Sequence, residues 1–350
     1  MTPRAIAIVV VAISACLLAS CGRIQVQPAG PPIQSPLLQG DHARMADGYR
    51  LPLRVWEPEA SPAAVVLGVH GFGDYGNAFA VLAGTLVDPG FAVIYAYDQR
   101  GFGATQRPGI WPGSDTLVSD LRTMVSLLRQ RHPEQRLVLI AESMGGAVVL
   151  RALNESPALD IDGAALLAPA VWGPETQSWY QRLALWVLLR VAPGATLSGD
   201  NVADLGIRPT DDREVMRALS RDPLVQKRAR IDTLDGVARL MGEALSHPYE
   251  LHGSVLVLYG LLDQVIPPGP VCAWLKRLEA EAGDFLPRVV LYTGGYHMLT
   301  RYLGAGDTLA DLAVWVQDPA APLPAGEELE LVEAAARVCG LPPRGRRRDR

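Results

Sequence analysis

Six strand-length runs in this 350-residue chain are apolar almost without interruption. They are "AAVVLGVH" (63–70), "FAVIYAYD" (91–98), "RLVLIAE" (136–142), "IDGAALLAP" (161–169), "SVLVLYG" (254–260) and "RVVLYT" (288–293). A strand with one wet face alternates apolar and polar residues, so an unbroken run implies burial on both faces. Helical patterns separate the runs: 76–88, stopped by Pro89-Gly90; 115–131, stopped before Pro133; 144–154; 268–282; and 304–317. Buried strands alternating with helices predict an α/β fold, a mostly parallel sheet with helices on both faces. "YRLPLRVWEP" (49–58) alternates and predicts an edge strand. The alternation breaks at about 171–250 in a helix-rich stretch and then resumes. This predicts a lid inserted into one domain, against the length prior for two domains.

Ligands in such sheets collect at the carboxyl ends of the strands. "LIAESMGGAVV" (139–149) runs from strand to helix with Ser143 in the turn. A serine hydroxyl needs a base to take its proton, and that base needs a partner that orients it and stabilises its charged form. Asp263 follows the 254–260 strand, and His297 lies in a glycine-rich loop after the 288–293 strand. The order Ser143, Asp263, His297 suits nucleophile, acid and base. An oxyanion needs backbone donors. Met144, opening the elbow helix, and Phe72, in the turn "HGFGD" after the 63–70 strand, are the candidates.

Residues 44 to 317 resemble the monoglyceride lipase and lysophospholipase-like branch of the α/β-hydrolases. The resemblance rests on "HGFGD" (70–74), "YDQRGFGATQ" (97–106), "ESMGGA" (142–147), "SRDPLV" (220–225), "GLLDQVIPP" (260–268) and "GYHML" (295–299). It implies an eight-stranded sheet, a helical lid, no metal and no cofactor. It also implies hydrolysis of carboxylic esters of monoacyl lipids by Ser143, Asp263 and His297, with Phe72 and Met144 as oxyanion donors. One departure is Ala141, where the elbow usually carries glycine; the added methyl predicts a tolerated fit.

Other titratable groups compete for these roles. His70 precedes the oxyanion turn and is expected to be structural. Asp98 and Arg100 read as turn and ion-pair residues under the site. Asp115 and Asp120 fit a helix start and its face, while Asp160 and Asp162 precede their strand rather than follow it. In the lid, "SWYQRLALWVLLRVAP" (178–193) is apolar on nearly all sides between Leu183 and Leu189. It predicts either a pocket wall and lipid-entry surface, with Trp179, Leu183, Trp186 and Leu189 at helical spacing, or a helix buried under the rest of the cap.

The N-terminus carries one early cation, Arg4, then an apolar run too short to span a bilayer comfortably. It ends in Leu18-Ala19-Ser20-Cys21, which resembles a bacterial lipoprotein signal. The resemblance implies cleavage after residue 20, acylation of Cys21 and, with Gly22 next, a lipid-anchored protein on the periplasmic side of the outer membrane. Residues 21–40, rich in Pro, Gln and Gly, predict a flexible tether holding the body off the membrane. Cys272 and Cys339 would then remain, as a disulfide or as two buried thiols.

Formal charge is −5, and no basic face suggests a nucleic-acid partner. Residues 318–350 predict a linker, a helix over "EELELVEAAARVCG" (327–340) and a basic tail, "RGRRRDR", that is solvated or touches anionic headgroups. The sequence leaves two further functions open. One is a serine aminopeptidase on the same triad, with Glu175 or Asp200 receiving a free amine. The other is a non-catalytic lipoprotein binding a hydrophobic ligand.

Overall fold

The computed structural model describes residues 23–198, 207–245, 253–281 and 286–341. The sheet is built from β1 (Leu37–Gln39), β2 (His42–Arg44), β3 (Arg50–Trp56), β4 (Ala64–Val69), β5 (Ala92–Tyr97), β6 (Arg136–Glu142) and β7 (Gly163–Leu167). It continues through β10 (Ser254–Gly260), β11 (Arg288–Tyr292) and β12 (Glu328–Leu329), in the order β1-β2-β3-β5-β4-β6-β7-β10-β11-β12. Between β7 and β10, β8 (Thr196–Ser198) and β9 (Arg228–Arg230) form a separate antiparallel pair. The helices are α1 (Ala80–Leu86), α2 (Ser114–Arg131), α3 (Met144–Leu153), α4 (Trp179–Val191), α5 (Arg213–Arg221), α6 (Ile231–Leu245), α7 (Pro268–Glu281), α8 (Ala305–Gln317) and α9 (Leu331–Cys339).

The strands from β5 to β11 pair in parallel, while β3 runs antiparallel to β5. Every residue of β4, β5 and β7 is buried, which is what an unbroken apolar run requires when helices cover both faces. From β4 the chain moves to β5 on one side, then returns past β4 to β6 on the other. That reversal splays the connections at the carboxyl ends of β4 and β6 and leaves a crevice there. Val69 pairs with Ala141 at this end, so the two turns that follow start side by side.

The sheet has two strands more than the expected eight. Both come from segments read as tether and tail. Leu37–Gln39 pairs with β2, and Glu328–Leu329 pairs with β11. Glu328 therefore does not sit in a helical first turn; its carboxylate grips Arg288 at 2.7 and 2.6 Å. Residues 23–34 differ from a free tether too. The Gln27 side chain donates to the carbonyls of Arg107 and Ile110, its backbone N–H donates to the Trp111 carbonyl, and the Ala29 N–H reaches Thr116. Ile33 returns to the Ala46 carbonyl. Backbone pairing with loop carbonyls needs no apolar period, so composition alone conceals it. Cys272 and Cys339 form a disulfide joining α7 to α9.

Candidate active site

β6 delivers Ser143 as the residue between strand and helix. Its N–H donates to the Leu167 carbonyl at 2.9 Å, and its carbonyl accepts from Ala170 at 2.9 Å. Held at both ends, Ser143 adopts φ 53° and ψ −115°, a conformation that costs a non-glycine residue about 1–3 kcal/mol. Strain of this kind persists only where surrounding structure over-determines it. The turn's steric demand falls on Gly145. A Cβ there would lie 2.1 Å from the Val69 carbonyl oxygen. Ala141, by contrast, is an ordinary buried member of β6, paired with Val69 and Leu166. A methyl is thus accommodated there in a regular, fully buried strand position.

The "HGFGD" turn packs directly on the elbow: a Cβ on Gly71 would lie 3.2 Å from that of Ser143. His70 is fully buried. Its Nδ1–H donates to the Gly71 carbonyl at 2.8 Å, while Nε2 accepts from the Gln99 N–H at 2.9 Å. Burial pulls its pKa down, so it stays neutral and braces the turn. The Asp74 N–H returns to the Gly71 carbonyl, and the Gly73 carbonyl accepts from Gln226. The Phe72 N–H is not among these donors. Met144 opens α3, where the first N–H groups have no intrahelical acceptor. The two N–H groups thus come from adjoining turns that flank Ser143.

Asp263 and His297 meet. His297 Nδ1 lies 2.8 Å from Asp263 Oδ2, with the carboxylate fully buried and the imidazole nearly so. The other carboxylate oxygen accepts from the N–H groups of Val265 and Ile266, which fixes its orientation. Burial alone would lower the pKa of His297. The charge of Asp263 and its hydrogen bond outweigh that, so the imidazole is more basic than usual.

Three charged residues that the sequence left unassigned bind these parts together. Arg301, four residues beyond His297 in the same loop, forms an ion pair with Asp74 at 2.8 Å and with Glu142 at 3.0 Å. Its side chain is 8 % exposed. Burial opposes its charge, but the two carboxylates more than compensate and move its pKa further up. Glu142 precedes Ser143 and Asp74 stands two residues after Phe72, so one guanidinium links the elbow, the 70–74 turn and the histidine loop. The return of the lid adds two backbone straps: Met298 to the Pro209 carbonyl and Gln226 to the Gly73 carbonyl. Asp74 and Glu142 lie in quoted motifs and Arg301 just past one, which was the available signal; the pairing spans 159 residues or more.

The competing residues lie elsewhere. Asp98 receives Arg54, Gly76 and Ala104, and Arg100 lies between Asp47 and Asp120. Asp162 accepts from Leu137 and Arg129 where β6 begins, away from its carboxyl end. Among the described residues no group of three His, Cys, Asp or Glu is arranged to hold a metal. Cys21 and Asp200 lie outside the described residues.

The lid helix α4 has no buried residue. Trp179 is 74 %, Leu183 51 % and Trp186 52 % exposed, which removes the alternative of a helix buried under the cap. A capping box, Ser178 with Gln181, starts it. Trp186 and Leu189 line a groove of about 510 Å³ against α6, and Arg190 stacks on the Trp186 ring.

Comparison with known proteins agrees with this architecture. The chain is 28% identical over 275 residues to a monoacylglycerol lipase of Mycolicibacterium smegmatis, covering 77% of this chain and 93% of that one. It is 26% identical over 304 residues to the human monoglyceride lipase, covering 83% and 94%. Among solved structures, a soluble variant of the Saccharomyces cerevisiae monoglyceride lipase superposes with a TM-score of 0.67, at 18% identity and over 85% of this chain and 99% of that one. That likeness concerns the fold. A family model described as serine aminopeptidase S33 matches residues 60–301. By that match and this architecture, the chain belongs to the serine aminopeptidase S33 family of α/β-hydrolases.

Proposed function

We propose that this hydrolase cleaves monoacyl lipid esters, monoacylglycerols or lysophospholipids, with Ser143 as nucleophile, His297 as base and Asp263 as its partner. The buried 2.8 Å contact between His297 and Asp263 carries the reading. His297 takes the proton of Ser143 as Oγ bonds to the ester carbonyl carbon, and the Phe72 and Met144 N–H groups receive the oxyanion. Asp263 stabilises the imidazolium. The imidazolium then protonates the departing alkoxide as the C–O bond breaks and an acyl-enzyme remains. Water, deprotonated by His297, releases the fatty acid. The exposed apolar lid, with Trp179, Leu183 and Trp186, supports an acyl-chain substrate. Ser143→Ala should abolish labelling by a fluorophosphonate probe; unchanged labelling removes Ser143 from the mechanism.

The family description favours testing one other reaction, removal of an N-terminal amino acid by the same triad. Glu175, the exposed acid before α4, would have to hold the amine. Faster turnover of amino-acid nitroanilides than of p-nitrophenyl esters would replace the ester reading.

We further propose that residues 1–20 are a signal, that Cys21 is acylated, and that residues 41–317 form the hydrolase domain with its lid at about 171–250. The mature protein would then sit on the periplasmic side of the outer membrane of a bacterial envelope. Loss of fatty-acid labelling in Cys21→Ser tests the anchor.

A further inference from the structure

The chain leaves the described body beside the lid. The Gln25 N–H donates to Asp232 at the start of α6 at 3.0 Å, and Val26 pairs with Trp111. Gln27, 5 % exposed, is locked by its three bonds to Arg107, Ile110 and Trp111. Ile24, three residues before Gln27, lines the same groove as Trp186 and Leu189 of α4. Residues 24–27 are therefore a fixed strap that ends at the lid helix.

Three residues separate Cys21 from Gln25, and an extended chain covers about 14 Å over those four steps. We propose, resting on the anchor read above, that this strap is a short spacer that sets the enzyme's orientation, with the exposed face of α4 seated in the bilayer that carries the Cys21 acyl chains. A long free tether would let the body tumble and present any face. A spacer of three residues does not. The occupant of the α4 face follows from that distance and from the helix's chemistry. Its two tryptophans and its tyrosine are amphipathic rings suited to the headgroup level, and its only charges are Arg182 and Arg190, which suit anionic headgroups. Lipid esters in the membrane would then meet the lid without crossing water.

The test uses full-length acylated protein in vesicles of phosphatidylethanolamine and phosphatidylglycerol containing a brominated phosphatidylcholine. Native protein should lose tryptophan fluorescence to bromine, and Trp179→Phe/Trp186→Phe should remove most of that loss. A flexible 15-residue Gly/Ser insertion between Gly22 and Arg23 should reduce the quenching and lower turnover of vesicle-borne monoacylglycerol several-fold. It should leave p-nitrophenyl butyrate turnover unchanged. Acylated protein with unquenched lid tryptophans overturns the docking alone. Equal quenching and lipid turnover with and without the insertion overturn the strap's role. A Cys21 found unacylated by mass spectrometry overturns the anchor and this proposal with it, while the Ser143 labelling test stands apart from all three outcomes.

Discussion

Arg301 and Arg100 are built alike. Each is a buried guanidinium between two carboxylates drawn from distant parts of the chain, Asp74 and Glu142 for one and Asp47 and Asp120 for the other. Arg100 also stacks on the Tyr49 ring at 4.0 Å. The desolvation problem is the same, and so is its solution: several kcal/mol lost by each charge is offset by close opposite charges. The difference lies in what the carboxylates are attached to. Glu142 and Asp74 sit beside Ser143 and Phe72, whereas Asp47 and Asp120 belong to the turn before β3 and to the face of α2. One cluster ties together the turns that carry Ser143, Phe72 and His297; the other closes the sheet's N-terminal edge onto a helix. A buried ion pair is therefore not a signature of function until its neighbours are named.

Substitutions can break this contrast. The largest effect is expected from Arg301→Met, which strands two like charges beside the elbow. A displacement of about 1 Å in such a site costs on the order of 100-fold in rate, so kcat on a soluble ester should fall by that order in protein that still melts cooperatively. Preserved kcat would make Arg301 no more than a second Arg100. Next in size, Arg100→Met should destabilise the fold by about 3–5 kcal/mol, read from urea unfolding. The fraction that stays folded should retain its kcat; a large loss would erase the distinction between the clusters.

A smaller effect concerns pH. On the proposed mechanism His297 works as a base only when neutral, and its pKa is raised, so kcat/KM should fall with acid through a value above that of an ordinary imidazole. Glu142 raises that pKa and Arg301 lowers it. Glu142→Gln should move the acid limb to lower pH and Arg301→Met to higher pH, while Arg100→Met leaves it in place. Movement in the opposite sense would show that geometry, not charge, dominates. Smallest of all, Arg239 and Asp235 form an exposed i,i+4 pair on α6, with Arg239 67 % exposed. Arg239→Ala should change stability by less than about 0.5 kcal/mol, which a calorimetric comparison of melting would register.

The same contrast marks how far the sequence could be read. Continuous apolar runs announced the parallel strands because burial on both faces leaves no other pattern. Ser143, Asp263 and His297 could be proposed from the sequence because each follows such a run, at the end where ligands gather, and of these the structure brings Asp263 and His297 into contact. Asp74 and Glu142 stood in the quoted motifs and Arg301 two residues past one, but they carried no sign of one another, since ion pairing has no period and no fixed spacing. The strap at residues 24–27 was misjudged for a related reason. Its bonds run from backbone and glutamine amides to loop carbonyls and to the Asp232 carboxylate, and a Pro- and Gln-rich segment looks the same whether pinned or free. The lid helix, apolar on nearly every side, was compatible with burial and exposure alike; only the packing around it decides.

The disulfide between α7 and α9 has a topological consequence. It closes a covalent ring over residues 272–339, and His297 lies inside that ring while Ser143 and Asp263 lie outside. A protease that nicks the linker between α8 and β12 would cut the chain once without freeing either piece. The fragment bearing His297 remains continuous with α7 on its N-terminal side, and the severed C-terminal piece hangs on by sulfur. On a gel the nicked enzyme would run as one band until a thiol is added and as two afterwards. Cleavage in an oxidising compartment would thus leave a scar rather than a loss.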